Sequence, residues 1–228
     1  MRKLRRCVLH TLIGRYVTKE SSSMEIVTDR LKMTQITDKD WELFESLHRN
    51  PAVISLCFDE PSTIEIRERF ESRLSLWTKG SGNWLCFTMT VLEAGEKIGV
   101  TGFYLVDGDA DVGYLILPQY HGLEFGTESL RALIKWAFNE HAIKAFSAVV
   151  TEGNVGSEKV LIKSGFSLKT VIPNAYKIGG KLIAFIASKI LLHNKQFKWD
   201  SARVAFLVCG GSSVEVPCSN IGIACFTP

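Results

Sequence analysis

The stretch PQYHGLEFGTESL, residues 118–130, joins an apolar, strand-like run to a long helical pattern. A turn of this kind is typical of an anion-binding site, because the first amides of a helix lack hydrogen-bond partners and carry about half a positive charge. Gly122 and Gly126 allow a ligand to come close to the backbone. Glu124, however, adds a negative charge at the place where a bound phosphate would favour none.

The residues on either side of this turn predict an α/β fold. Three strand-like runs come before it, at residues 83–91, 97–106 and 111–118, and turn residues separate them. After it, helical spacing predicts a long helix over residues 126–141, then a short buried strand, a second helix that ends at Gly165, and two more strands. We therefore expect an antiparallel meander that continues into a sheet of mixed direction with flanking helices.

The first part of the domain predicts one strand and two helices. Residues 24–36 are typical of a strand, and residues 37–50 have apolar positions at helical spacing that stop at Pro51. Residues 62–77 predict a second helix, which a capping box between Ser62 and Glu65 would open. The apolar stripe expected on that helix consists of Ile66, Phe70, Leu74 and Trp77.

Length and charge favour one folded domain with appendages. The 228 residues are 46% hydrophobic, which is enough to bury a full core. Residues 1–23 hold six Lys/Arg against one Glu, a net charge of +5, whereas residues 24–193 hold 18 Lys/Arg against 21 Asp/Glu, a net charge of −3. Because the basic character belongs to the leader, we expect no nucleic-acid partner. No apolar run reaches the roughly 18 residues needed to span a bilayer, so we expect no membrane partner.

The cysteine pattern predicts a metal-free, reduced and cytoplasmic protein, because the six cysteines form no CxxC pair and have no histidine at metal-ligand spacing. We divide the chain into a basic leader (1–23), a folded domain (24–193) and a C-terminal extension (194–228) that fits no part of the pattern. The leader is similar to an amphipathic arm. The alternative is that translation naturally begins at Met24, where the strand pattern starts.

Three segments, in this order, resemble the GCN5-related N-acetyltransferase (GNAT) superfamily. DVGYLILPQYHG, residues 111–122, is similar to its central strand and pyrophosphate turn, with the signature Gln/Arg-x-x-Gly-x-Gly/Ala. EGNVGSEKVLIKSGF, residues 152–166, is similar to its Asn-x-x-Ser and Lys-x-Gly-Phe elements. TDRLKMTQITDKDWELF, residues 28–44, resembles the Thr-x-Arg-Leu start of the ribosomal-protein-alanine N-acetyltransferase branch. The resemblance covers about residues 24–190 and implies a GNAT-like, mostly antiparallel sheet with a central splayed strand.

The resemblance implies that acetyl-CoA is the co-substrate. Its pantetheine arm would pair along the strand edge at Leu115, Ile116 and Leu117, and Asn154 would face that arm. The pyrophosphate would lie against the signature residue Gln119 and the main-chain amides of Gly122, Leu123, Glu124, Phe125, Gly126 and Thr127. Ser157 would lie near the thioester sulfur, where the family often places a hydroxyl that reprotonates the thiolate. The spacing also allows a structural pair, in which Asn154 caps the helix and Ser157 stabilises its first turn.

Glu124 departs from the family signature, which has Gly or Ala at this position. Its backbone amide can still donate to a phosphate oxygen. Its carboxylate would repel a dianion by on the order of 1 kcal/mol unless it points into solvent. We therefore expect weakened but retained acetyl-CoA binding, and tighter binding in Glu124→Gly.

The implied reaction is acetyl transfer to a primary amine by direct attack in a ternary complex. At pH 7 roughly a tenth of α-amines are neutral, against roughly 0.04% of lysines. Asp111 matches a position where the family often carries a catalytic carboxylate, although a turn residue is the alternative. Tyr176 replaces an acidic residue of the ribosomal branch, and His121 and His141 favour structural roles. Because no strong base is assured, a protein N-terminal α-amine is the favoured acceptor.

Two other functions stay open, one with a different acceptor and one without catalysis. A small-molecule amine, such as a polyamine or an aminoglycoside, would also be attracted by the acidic residues Asp59, Glu60, Asp107, Asp109 and Asp111. Glu124 and Tyr176 favour a catalytically silent CoA-binding module. Neither Cys57 nor Cys86 has a neighbouring base, so we expect no covalent acetyl-enzyme. We expect a monomer or a homodimer.

Overall fold

The computed structural model describes residues 24–192 and forms a mixed sheet with helices on both faces. Its strands are β1 (Glu25–Val27), β2 (Leu31–Gln35), β3 (Leu85–Val91), β4 (Lys97–Val106), β5 (Asp109–Ile116), β6 (Ala145–Thr151), β7 (Ser167–Ile178) and β8 (Lys181–Leu191). Its helices are α1 (Trp41–Arg49), α2 (Pro51–Ile54), α3 (Thr63–Glu71), α4 (Phe125–His141) and α5 (Val155–Lys163). The expectations for the leader and the C-terminal extension lie outside the described residues.

The eight described strands run in the order β1-β2-β3-β4-β5-β6-β8-β7. Every neighbouring pair is antiparallel except β5 and β6, which are parallel because α4 forms the crossover between them. The expected α/β class, the β3-β4-β5 meander and the mostly antiparallel sheet are confirmed.

The sheet opens at its centre. Within the described residues, β5 pairs with β6 at only two positions, Ala110 with Phe146 and Asp111 with Ser147. On its other side, β5 pairs with β4 at eight positions from Asp109 to Ile116. From Val112 onward, therefore, the edge of β5 that faces β6 has no strand partner, and this is the expected splay.

Two hydrophobic clusters cover the two faces of the sheet. On the first face, α4 and α5 pack their buried residues against alternate positions of β5; this cluster includes Val112, Tyr114, Ile116, Leu130, Leu133, Ile134, Val160 and Leu161. On the second face, α1 and α3 pack against the intervening position of β5; this cluster includes Phe44, Leu47, Ile66, Phe70, Cys86, Val100 and Leu115. Because side chains alternate along a strand, β5 contributes to both clusters.

The N-terminal part differs from the expectation of a single strand over residues 24–36. A turn divides this segment into β1 and β2, and the Thr28 hydroxyl stabilises the turn by accepting a hydrogen bond from the Leu31 amide at 2.9 Å. The expected stop of the first helix before Pro51 is confirmed, but a second, short helix follows at once. Helix α1 ends at Arg49, and Asn50 caps the short helix α2, in which Pro51 occupies the first position, where a missing N–H costs little.

Helix α3 starts as predicted but ends early. Ser62 and Glu65 form both hydrogen bonds of the capping box. The helix ends at Glu71, so Leu74 and Trp77 do not belong to its apolar stripe. Trp77 is instead buried in the first-face cluster, edge-on to Phe103 at 5.3 Å between ring centroids. None of the helices in residues 24–192 is long and apolar enough to cross a lipid bilayer.

Candidate active site

The turn that connects β5 to α4 contains two residues with positive φ. A single 3-10 turn, Pro118–Tyr120, follows the strand, then Gly122 has φ of 75° and Glu124 has φ of 66°. Helix α4 begins directly after Glu124, so the turn leads straight to its first unpaired amides. Gln119 is exposed, as are Leu123 and Glu124, whereas residues 125–127 at the start of α4 are buried.

A cleft of about 440 Å³ lies between this turn and α5. The turn contributes Gly122, Glu124, Phe125, Gly126 and Thr127, and α5 contributes Val155, Gly156, Lys159, Val160 and Lys163. Its charged lining residues are two lysines and one glutamate, a net charge of +1. Size and charge both suit a ligand that carries phosphate groups.

The carboxylate of Glu124 is half exposed but is not turned away from the protein. It forms an ion pair with the Lys163 ammonium, and it accepts a hydrogen bond from the Thr127 hydroxyl at 3.1 Å. The hydrogen bond from Lys163 lowers the pKa of the Glu124 carboxyl, and the bond from Thr127 acts in the same direction. Arg131 on α4 donates to the Lys163 carbonyl at 3.1 Å, which fixes the end of α5 beside the cleft.

The predicted strand edge is only partly open. Leu115 and Ile116 lie on the stretch of β5 that has no β6 partner. Leu117 lies beyond the strand, and both of its main-chain groups are used: its amide donates to Ile98 at 2.9 Å and its carbonyl accepts from Tyr120 at 3.0 Å. Leu117 therefore does not share the open edge with Leu115 and Ile116.

Asn154 and Ser157 come together at the start of α5. The Asn154 side-chain oxygen accepts from the Ser157 amide at 3.2 Å, so the helix cap that the spacing allowed is present. The Asn154 side-chain nitrogen is buried and has no hydrogen-bond partner within residues 24–192. A buried, unpaired donor costs about 1–3 kcal/mol, so this atom fits a ligand that brings an acceptor.

Tyr114 is a site residue that the sequence reasoning missed. Its hydroxyl lies 3.4 Å from the Ser157 hydroxyl, and both side chains are buried. Burial raises the pKa of Tyr114, so its phenol stays protonated at neutral pH. The sequence predicted a strand over residues 111–118, but nothing local connected Tyr114 with a residue 43 positions later.

Asp111 lies at the point where β5 and β6 separate. It forms the last β5–β6 pair, with Ser147, whose hydroxyl donates to the Asp111 carboxylate at 3.2 Å. Asp111 is inside β5, so its alternative interpretation as a turn residue is wrong. Burial raises the pKa of Asp111 to about 7, and the hydrogen bond from Ser147 opposes that shift only in part.

The other candidate bases are held in packing positions. Tyr176 is half-buried on β7 and stacks on Phe185 in the second-face cluster, at 5.6 Å between ring centroids. His121 bonds to the Ile116 carbonyl at 2.8 Å. His141 packs edge-on against Trp136 at 4.6 Å. The structure therefore groups Ser157 with Asn154 and Tyr114, and it leaves Tyr176 on the opposite face of the sheet.

A second pocket, of about 100 Å³, lies on the second face. It reaches Gly113, Tyr114 and Leu115 on the open stretch of β5, and its other lining residues are Phe44, His48, Phe58, Arg69, Arg73, Trp84, Cys86, Val100, Thr101 and Gly102. Cys86 is a buried free thiol, and burial raises its pKa to about 11, which disfavours a thiolate nucleophile.

The acidic residues expected to attract a cationic acceptor do not line this pocket. Asp109 pairs with Lys189 at 2.6 Å, and Glu60 pairs with Arg49 at 3.2 Å. Asp59 accepts from the Gly179 amide at 2.6 Å. Within the part of the chain that the structure describes, no group of three or more His, Cys, Asp or Glu side chains is arranged to hold a metal ion.

Known proteins share this sequence pattern and this fold. The chain is 26% identical to the uncharacterized N-acetyltransferase p20 of Bacillus licheniformis over 163 residues, which cover 69% of this chain and 90% of that protein. The solved structure of RimL, a ribosomal L7/L12 alpha-N-protein acetyltransferase in complex with coenzyme A, matches with a TM-score of 0.63 and 16% identity, covering 74% of this chain and 98% of that one.

A second solved structure has the same fold but a different acceptor in its name. Spermidine N-acetyltransferase from Vibrio cholerae, in complex with CoA and spermine, matches with a TM-score of 0.63 and 16% identity, covering 72% of this chain and 96% of that one. The family model for the acetyltransferase (GNAT) domain matches residues 30–167, which is more than half of the chain. The chain therefore belongs to the GNAT acetyltransferase family.

Proposed function

We propose that this acetyltransferase moves acetyl from acetyl-CoA to a protein N-terminal α-amine, by direct attack in a ternary complex. The observation that carries the proposal is the opening between β5 and β6 beyond Asp111, with the cationic cleft beside it and the second pocket on the other face. A thioester arm that entered from the cleft would meet an amine that approached from the second pocket.

The cleft residues fit the co-substrate. The first amides of α4 and the ammonium groups of Lys159 and Lys163 would hold the diphosphate. The unpaired nitrogen of Asn154 would donate to an amide carbonyl of the pantetheine arm, while its oxygen keeps capping α5. Two solved relatives of this fold contain CoA, which supports the same co-substrate here.

The amine nitrogen attacks the thioester carbonyl carbon, so a C–N bond forms and the C–S bond breaks. The nitrogen loses a proton and the leaving thiolate gains one, and the products are an amide and free CoA. Asp111, whose pKa lies near 7, accepts the proton of an α-amine with a pKa of about 8 at small cost. For a lysine, with a pKa of about 10.4, the mismatch would be several kcal/mol. Tyr114 and Ser157 provide the hydroxyl pair that protonates the thiolate.

The second pocket favours an α-amine over a polyamine. Arg69 and Arg73 line it, and no Asp or Glu of the described residues 24–192 does. A polyamine brings several positive charges into a site that already carries two, and like charges at close range repel. The similarity to the spermidine acetyltransferase therefore supports acetyl transfer as the reaction of this protein, but it does not support a polyamine as the acceptor.

Calorimetry and an acceptor panel test the proposal. Acetyl-CoA at 100 times its Kd should stabilise the protein by about 2.7 kcal/mol and raise its Tm by several degrees. N-terminal peptides should then be acetylated faster than spermidine or N-α-blocked lysine, with a rate that rises with pH through about 7 as Asp111 ionises. Binding without turnover on any amine would assign a silent CoA-binding module, and no binding at millimolar CoA would end the proposal.

A further inference from the structure

We propose that the acceptor carries a carboxylate close to its reactive amine, and that Arg73 binds this carboxylate in the second pocket. This inference rests on the proposed function, because it names the class of acceptor that the same site selects. It specifies that the preferred acceptors are proteins or peptides with an acidic N-terminus, that is, with Asp or Glu among their first residues.

The guanidinium of Arg73 is held in place but not neutralised. It lies over the rings of Phe44 and Trp84, at 5.1 and 5.6 Å from their centroids, and one of its N–H groups donates to the Arg69 carbonyl at 3.2 Å. Within residues 24–192, no carboxylate lies within 4.0 Å of it. A half-buried guanidinium with free donors suits a carboxylate that binds through two parallel hydrogen bonds.

No other lining residue supplies the missing negative charge. Arg69 adds a second positive charge, and its guanidinium lies 5.8 Å from the Phe58 ring. His48 is neutral: burial, together with the charges of Arg73 and Arg69, lowers the pKa of His48 to about 3, even though its ring bonds to the Phe44 carbonyl. With the Cys86 thiol protonated, the formal charge of the lining residues is +2.

The position and size of the pocket match the acceptor side of the reaction. It is lined by Gly113–Leu115, on the stretch of β5 that no longer pairs with β6. Its volume of about 100 Å³ is well below the roughly 300 Å³ of pockets for drug-sized ligands, so it fits a short acidic side chain. A carboxylate bound to Arg73 would thus hold the amine of the same molecule near the open edge.

Matched peptides test the inference. Peptides with Asp or Glu at position 1, 2 or 3 are compared with their Asn or Gln counterparts, using wild type, Arg73→Gln and Arg73→Lys. Wild type should show a kcat/KM at least about tenfold higher for the best acidic peptide than for its amide counterpart. Arg73→Gln should lose this preference, mainly through a higher KM, and Arg73→Lys should keep part of it. Arg67→Gln is the matched control, because Arg67 lies on α3, which ends just before Arg73, but its guanidinium packs over Trp41, outside the pocket.

The Kd for acetyl-CoA separates this inference from the proposed function. It should be the same in all four proteins, since Arg73 does not line the cleft. Turnover of acidic and amide peptides at equal rates, or an equal loss for both in Arg73→Gln, would overturn the inference and leave the proposed function intact. Calorimetry of the CoA-loaded protein with the N-acetylated acidic peptide and its amide gives the same comparison without turnover, and equal affinities there would also overturn it.

Discussion

Glu124 combines a strained backbone conformation with a negative charge that the Lys163 ammonium offsets. Its φ of 66° lies in the left-handed region, which costs a non-glycine residue roughly 1 kcal/mol. Its carboxylate lines the cleft that we propose binds the diphosphate of acetyl-CoA. The ion pair with Lys163 explains how the carboxylate is tolerated, but it also competes for an ammonium group that we propose helps to hold the diphosphate.

We predict that Glu124→Gly and Glu124→Gln both tighten acetyl-CoA binding, by roughly three- to tenfold in Kd, because each removes a repulsion on the order of 1 kcal/mol and releases Lys163. Isothermal titration calorimetry measures the change. Only Glu124→Gly should also stabilise the free protein, since glycine adopts positive φ without strain. An unchanged Kd in Glu124→Gln would mean that the ion pair already cancels the repulsion.

The buried carboxyl of Asp111 should make stability depend on pH. Its pKa is about 7 in the folded protein, above the usual 3.8. Below the usual pKa both the folded and unfolded states are protonated, so its stability contribution is fully present there. As pH rises from about 4 to 7 the unfolded chain loses the proton first, so that contribution is lost.

We predict that Asp111→Asn is more stable than wild type, by a difference that grows between pH 4 and 7 and then levels off. Urea unfolding across this range measures the difference. Asp109→Asn, two residues away on the same strand, is the control; its carboxylate forms a half-exposed ion pair with Lys189, so the change should be within about 1 kcal/mol. A pH-independent difference for Asp111→Asn would contradict the raised pKa.

Asn154, the N-cap of α5, has two polar side-chain atoms with different surroundings. The oxygen of Asn154 caps the helix, and its nitrogen lies buried without a partner in the described residues. Substitutions can therefore separate the structural interpretation of Asn154 from the ligand-binding one.

We predict that Asn154→Ala destabilises the protein by about 1 kcal/mol through loss of the cap, and that Asn154→Ser recovers most of this loss. Neither variant offers the amide N–H₂, so both should bind acetyl-CoA more weakly than wild type. Thermal unfolding measures the loss of stability from removing the helix cap, and calorimetry measures the Kd for acetyl-CoA. If Asn154→Ser bound acetyl-CoA as wild type does, the role of Asn154 would be structural alone.

The cleft and the second pocket lie on different parts of the sheet, and none of their described lining residues is shared. The cleft is formed by the turn and α5, and the second pocket by α1, α3 and the sheet. Lys163 and Arg73 have no partner in common among the described contacts. In the proposed function, the fold would therefore bring the two substrates together from two sides.

We predict that Lys163→Gln and Arg73→Gln act independently. The single variants should lower kcat/KM through acetyl-CoA and through the acidic acceptor, respectively, and the double variant should show the product of the two effects within about twofold, which corresponds to less than about 0.5 kcal/mol of coupling. A double-mutant cycle on kcat/KM measures this. Strong coupling would show that the cleft and the pocket communicate through β5.

Local patterns were sufficient for most of the fold. The meander, the long helix α4, the cap of α3 and the order of strands and helices followed from side-chain alternation, helical spacing and capping residues, which act over a few positions. Two boundaries were predicted wrongly. At Thr28, a hydrogen bond to the side-chain hydroxyl stabilises a turn inside the expected strand. At Glu71, the last turn of α3 tightens and ends the helix although the apolar pattern continues.

The site depended on contacts between distant segments. The segments that carry the turn and the Asn154–Ser157 pair were visible as motifs, but the partners of their side chains were not. Lys163 meets Glu124 across 39 positions, and Tyr114 meets Ser157 across 43. Among residues 24–192, no carboxylate pairs with Arg73. Residue spacing in the sequence predicts the local backbone conformation. Charge pairing and burial, in contrast, depend on residues that come into contact only when helices pack on both faces of the sheet.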